Sequence, residues 1–205
     1  MATIAPAIAA MTHKATELHD DAANTVPTAF PIVTQRLEIR PFTVADVPAY
    51  ALILAKPEVT RYLGTGAPTP PGESESRAAR WISMWQEAET AGLGVFAVFE
   101  RESGDLIGHC GFTRVPDGRV EIDYAFDSTA WGKGYGTEAA RTMLEYGREH
   151  LGVTELIGMA YPENSGSIGI FRKLGMSRFG TEHHHGSDLE IYECDLRRLS
   201  EHALN

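Results

Sequence analysis

The chain has 205 residues, 43% of them hydrophobic and 22% charged, with a formal net charge of −10. That length and balance suit one globular domain with an ordinary core. The acidic surface argues against a nucleic-acid or membrane-surface partner and would attract cations, amines among them; the competing reading is acidity that serves solubility alone. No apolar run approaches the roughly 18 residues of a spanning helix. The opening stretch MATIAPAIAA lacks the basic residues of a secretory signal. Cys110 and Cys194 form no motif and give no disulfide framework, so a reducing cytoplasm is expected.

Residues 1–31 mix Ala, Thr and Pro without a sustained period, and a loose tail is expected there, with a short one at 200–205. The domain is expected over 32–199. In TQRLEIRPF, Leu37 and Ile39 alternate with charged residues as in a strand. Thr43 and Asp46 form a helix-start pair, and Lys56-Pro57 is read as the stop of that helix. After a Pro/Gly loop at Gly64–Glu73, a second helix is expected over Ser74–Thr90, with Trp81 and Trp85 on one face. Either Trp could wall a pocket, and core packing is expected for at least one of them. Three strands separated by turn residues follow, at Leu93–Glu100, Asp105–Val115 and Arg119–Asp127.

A glycine-studded segment, Trp131 to Gly136, then opens a helix running to about His150, with Ala140, Met143, Leu144 and Gly147 on its inner face. A buried strand at Glu155–Tyr161 and a short helix at Asn164–Gly175 come next. Two strands, Met176–His184 and Asp188–Leu196, close the domain. The order β-α-α-β-β-β-α-β-α-β-β predicts an α/β domain with a mixed sheet and helices on both faces.

The segment Trp131-Gly132-Lys133-Gly134-Tyr135-Gly136-Thr137 carries the clearest chemistry. Glycines leave successive N–H groups bare at a helix mouth, where the helix dipole favours anions. A diphosphate fits that description, and Lys133 can add a charge. The segment is not a Walker A loop, because GxxxxGK[ST] is absent. It matches the dinucleotide fingerprint poorly, since about seven residues precede the glycines and Glu155 lies at the wrong end of the next strand. The competing reading is a glycine-rich turn without a ligand.

Taken together, TQRLEIRPF, VEIDYAFDSTAWGKGYGTEAA and PENSGSIGIFRKLGM resemble the GNAT superfamily of acetyl-CoA-dependent N-acetyltransferases. The nearest branch is the one containing the ribosomal-protein alanine acetyltransferases. The likeness runs from about Thr34 to Leu196 and implies a GNAT-like fold. It implies that the pantetheine arm of acetyl-CoA pairs with a splayed strand end at Tyr124, Ala125 and Phe126, and that an N–H near Phe126 meets the oxyanion. It places the pyrophosphate on Gly132, Lys133, Gly134, Tyr135, Gly136 and Thr137, with Trp131 in the first loop position. Asn164 then faces the cofactor, and Ser167 and Phe171 line its pantetheine end. Phe171 stands where many members carry a proton-donating Tyr; Ser167 or water is the substitute.

Amine attack on a thioester needs the neutral amine. Freeing a peptide α-amino group at pH 7 costs about 1 kcal/mol, and freeing a lysine about 4.6 kcal/mol. Glu121 is the preferred base, and the resembling branch carries a Glu at the matching place. Asp123, two residues on, shares its face, and both could instead be structural. His109 on the neighbouring strand is a further candidate, against a packed role. The expected reaction is direct transfer of an acetyl group to a primary amine, either a protein N-terminus or a small molecule. The alternative is a CoA-binding sensor that has lost catalysis. Glu182, His183, His184, His185 and Asp188 read as an exposed hairpin tip, and no metal is expected. The oligomeric state is open, a homodimer included.

Overall fold

The structure, a computed structural model, describes residues 30–90 and 92–198. The expected tails fall outside the described residues, apart from residues 30 and 31. Eight strands form one sheet: β1 (Ile32–Val33), β2 (Leu37–Arg40), β3 (Val95–Glu100), β4 (Leu106–Arg114), β5 (Val120–Phe126), β6 (Glu155–Ala160), β7 (Ser177–His184) and β8 (Ser187–Asp195). Their spatial order is β1-β2-β3-β4-β5-β6-β8-β7. Every pair is antiparallel except β5 with β6. Five helices accompany the sheet: α1 (Val47–Leu54), α2 (Pro57–Thr60), α3 (Ser74–Thr90), α4 (Tyr135–His150) and α5 (Ser165–Lys173).

Two elements depart from the expected order. Ile32–Val33 pairs with β2 as a strand of its own, too short to show a period. Pro57 does not end helical structure but begins α2 at its first position, where the missing N–H costs nothing. Lys56 before it is extended, as a residue preceding proline prefers. Thr43 starts the first helix as expected, its N–H donating to Asp46 Oδ2 at 2.7 Å. The first turn is 3-10 before it relaxes into α1.

The strand period of two sorts the core onto both sheet faces. On β3, Phe96 and Val98 join the cluster under α4 and α5, while Val95 and Ala97 join the cluster under α1 and α3. The inner face of α4 is the one read from its spacing: Ala140 and Met143 are fully buried, and Phe112 lies against Gly147. On β5 the same alternation turns Ile122 and Phe126 toward α4 and α5, and Ala125 toward α1 and α3. Glu121 and Asp123 share the face of Ala125.

The feature that positions the site is the seam between β5 and β6. β4 and β5 stay in register from Arg114↔Val120 to Gly108↔Phe126. β5 and β6 meet at one pair, Glu121↔Ile157, and then diverge. Asp127 N–H donates to the Ile107 carbonyl at 2.8 Å. By alternation, the main-chain groups of Tyr124 and Phe126 therefore point away from β4, into the opening.

Candidate active site

The opening of the β5–β6 seam leads to the mouth of α4. Gly134 caps that helix in the left-handed region, at φ 86°, a conformation costly to any residue with a Cβ. The N–H groups of Tyr135, Gly136 and Thr137 lie in the first turn, where no intrahelical acceptor exists. The 16-residue helix behind them adds its dipole. Glu138, also in the first turn, is occupied elsewhere. Its carboxylate accepts from Arg36 Nε at 2.7 Å and from the Thr34 hydroxyl at 2.6 Å. Arg36 also donates to the Lys133 carbonyl at 2.8 Å, so one guanidinium ties β2 to the loop and neutralises the acid beside it.

Each residue of the predicted loop has a distinct placement. Gly132 and Lys133 are exposed. Tyr135 is buried, its hydroxyl bonded to Glu100, so it offers the cradle only its main chain. A Cβ on Gly136 would lie 2.8 Å from Ile170 Cδ1; this glycine also permits α4 and α5 to approach. Trp131 turns its indole N–H onto the Phe126 carbonyl at 2.8 Å. That bond occupies the last acceptor of β5, and by the alternation with β4 the Phe126 N–H points into the seam.

α5 forms the other wall. Asn164 caps it, Oδ1 accepting from the Ser167 N–H at 3.1 Å while Nδ2 donates to Ser167 Oγ at 3.0 Å. The Ser167 hydroxyl therefore receives a hydrogen bond and keeps its own proton to give. The Tyr124 hydroxyl donates to the Ser167 carbonyl at 3.3 Å, and burial pushes its ionisation up, so it stays a phenol. Phe171, 1% exposed, fills the space over Gly158 between Tyr124 and Tyr192. It supplies packing and no proton.

Glu121 and Asp123 form the floor on the α1/α3 side. Thr113 from β4 approaches Glu121 at 3.5 Å. Desolvation, with the Asp123 charge second, raises the Glu121 carboxyl from its ordinary 4.5 to about 8. Glu121 keeps a partial opening to the cavity; water there damps the shift without reversing its sign. One cavity of about 1160 Å³ joins this floor to the α4 mouth and to Asn164 and Ser167. Trp81, Met84, Trp85, Tyr62 and Tyr161 also line it. Trp85 is 6% exposed and stacks on Phe42, so it is also core, while Trp81 is only partly buried.

The histidine hairpin turns at His185 and Gly186, both at positive φ, a geometry matched to a two-residue turn. His183 pairs with Asp188 and His184 with Glu182, each at 2.8 Å, so the rings are separately engaged along the cavity rim. Among the described residues no cluster of three or more His, Cys, Asp or Glu side chains converges as a metal site would require. Cys110 and Cys194 are buried free thiols. Burial pushes Cys194 up to about 11 and Cys110 further still.

Several residues of this region were not singled out from the sequence, Tyr50 and Thr113 on the floor among them. Tyr50 reaches His109 from α1 across 59 positions, and no local pattern announces such a contact. Thr113 could have been found by register, since it lies directly across from Glu121.

Comparison with known proteins agrees with this geometry. The family described as an acetyltransferase (GNAT) domain matches residues 36–177. The N-acetyltransferase YnaD of Bacillus subtilis (strain 168), itself uncharacterised, is 32% identical over 150 residues, 73% of this chain and 84% of its own length. The crystal structure of a GNAT-family acetyltransferase from Bacillus anthracis superposes with a TM-score of 0.68 at 26% identity, covering 82% of this chain and 99% of that one. Mycobacterium smegmatis RimJ, solved in complex with CoA-disulfide, shares the fold at a TM-score of 0.66 and 19% identity, over 82% of this chain and 86% of its own. A family match over residues 36–177, on a sheet with a splayed parallel seam beside a helix mouth, leads to one conclusion: the chain belongs to the GNAT family of acetyl-CoA-dependent acetyltransferases.

Proposed function

We propose that the protein acetylates a primary amine carried on an apolar body, by direct attack of the amine on the thioester. The observation that carries this reading is the carboxylate pair Glu121 and Asp123 on the floor of the cavity that also holds the α4 cradle. The Asp123 carboxylate attracts an ammonium, Glu121 in its ionised form can take the proton, and the aromatic walls accept an uncharged framework. Either a peptide N-terminus with apolar first residues or a small apolar amine has that chemistry.

In this scheme the N–H groups of Tyr135, Gly136 and Thr137 hold the diphosphate of acetyl-CoA. The exposed main chain of Tyr124 and Phe126 receives the pantetheine amides as a neighbouring strand would. Glu121 takes the proton from the amine, the C–N bond forms, and the Phe126 N–H meets the developing oxyanion. As the C–S bond breaks, the Ser167 hydroxyl hydrogen-bonds the departing thiolate and relays a proton to it from water, taking one back as it gives its own. Ser167→Ala is expected to lower kcat about tenfold with little change in the KM for acetyl-CoA. A stopped assay of thiol release over a range of acetyl-CoA concentrations checks it. The raised thiols of Cys110 and Cys194 disfavour an acyl-cysteine route, since thiolate is the nucleophile.

A thiol-release assay over peptides with free N-termini, arylalkylamines, polyamines and aminoglycosides tests the whole reading. Apolar amines are expected to turn over at least about tenfold better than the polycationic or polyhydroxylated ones. If no amine releases CoA while acetyl-CoA still raises the melting temperature, the protein is a CoA sensor and the proposal falls.

A further inference from the structure

The cavity floor has a further polar residue, His109, that this scheme does not use. It lies on β4 opposite Ala125, is 1% exposed, and faces α1 and α3. Tyr50 from α1 sits with its hydroxyl 2.8 Å from Nδ1, and the Trp85 ring from α3 packs at 4.8 Å between centroids. Tyr50 is itself fully buried, and its burial pushes the phenol's ionisation well up. A neutral buried hydroxyl must donate, and Nδ1 is the acceptor within its reach. The neutral imidazole then carries its proton on Nε2. Among the described residues that nitrogen is buried without a hydrogen-bond partner, and the Asp123 carboxylate stands 3.5 Å from it. An orphaned buried donor is costly, and a small rotation of Asp123 removes the cost.

We infer that His109 is a positioning residue: held by Tyr50 in its Nε2–H form, it anchors one oxygen of Asp123 and presents the other to the acceptor ammonium beside Glu121. The remaining surroundings agree with this assignment. Arg77 on α3 acts on Tyr50 through charge alone, and Glu121 and Thr113 share the floor. Cys110 and Tyr124 belong to the opposite face of the sheet, and Ile157 and Met159 on β6 are apolar. No other charged side chain among the described residues bonds to His109 or Asp123. Each partner comes from a different element, so α1, β4 and β5 must all be in place before Asp123 is aimed. The inference rests on the acceptor reading above for what Asp123 holds, but the hydrogen-bond chain stands without it.

Two measurements separate the two. Long-range ¹H–¹⁵N correlation spectra of the full chain, labelled in histidine, report the tautomer of His109 at about pH 8.5, two units above ordinary imidazole. The expected result is a neutral ring protonated at Nε2, whose signal moves in Asp123→Ala. A proton on Nδ1, or an Nε2 signal indifferent to Asp123, overturns the inference whether or not any amine is a substrate. The second measurement is kinetic, with 2-phenylethylamine as the probe acceptor. His109→Leu should raise the KM for the amine about tenfold, with kcat and the KM for acetyl-CoA changed less than about twofold. His109→Gln, which keeps an N–H at the same reach, should restore most of the loss. Leu and Gln variants of equal KM, or a His109→Leu effect that persists undiminished in Asp123→Ala, would mean that His109 only packs. Should His109→Leu fail to fold, the tautomer and the Gln variant still decide.

Discussion

Glu121→Gln is expected to bind acetyl-CoA as the wild type does and to lose about three orders of magnitude in kcat. Gln keeps the volume and the Thr113 contact but cannot accept the amine's proton. The pH dependence gives the sharper signature. The carboxyl titrates near 8 because the floor desolvates it and Asp123 stands beside it. The basic form is therefore the minority at neutral pH, and wild-type kcat/KM should rise with pH to an inflection near 8. In the variant that limb should give way to one that follows the ionisation of the amine itself, displaced to high pH when the acceptor is a strongly basic amine. Stability must move oppositely. The folded state holds the proton up to about 8, while the unfolded chain releases it near 4.5. Glu121 thus contributes its stability fully below 4.5 and loses it as pH rises through 8. Gln does not titrate, so the variant should gain in melting temperature relative to wild type across that window. A variant that is slow and also less stable at pH 8 would place Glu121 in the structure rather than in the chemistry.

The contrast between Glu121 and His109 shows what the sequence exposes. Glu121 and Asp123 are separated by one residue on a strand, and the period of two puts them on one face whatever the rest of the molecule does. The α4 cradle is equally local: left-handed glycines, a helix start and an inner face at Ala140, Met143 and Leu144 all lie within one window. Both were legible for that reason. Tyr50 and His109 meet across 59 positions through the packing of α1 on the sheet, which no short window contains. Pro57 misled because proline both ends helices and begins them, and the choice depends on whether the residues after it can carry a helical turn. The seam between β5 and β6 came from resemblance rather than from residues. Nothing in EIDYAF alone says that its second neighbour is in register at a single pair.

Gly134→Val is expected to raise the Kd for CoA about a hundredfold or more, and the reason is conformational before it is steric. At φ 86° a β-branched residue is strongly disfavoured, so the chain escapes by rotating the peptide that begins α4. The three N–H groups that the proposal assigns to the diphosphate turn with it. A Cβ would stand 3.4 Å from the Arg36 guanidinium, an ordinary contact that leaves its bonds to the Lys133 carbonyl and Glu138 in place, so the backbone carries the effect. Strain alone could lower affinity by loosening the fold, so the comparison needs a second glycine. Gly152, beyond the C-terminus of α4, has φ 65° with nothing near its missing Cβ. Gly152→Val should cost similar stability while leaving CoA affinity within about twofold of wild type. Calorimetric titration of CoA into both variants, at a temperature where both are folded, reads the difference directly. Equal affinities in the two would mean that the cradle does not hold the diphosphate, and the assignment of acetyl-CoA to the α4 mouth would have to be abandoned.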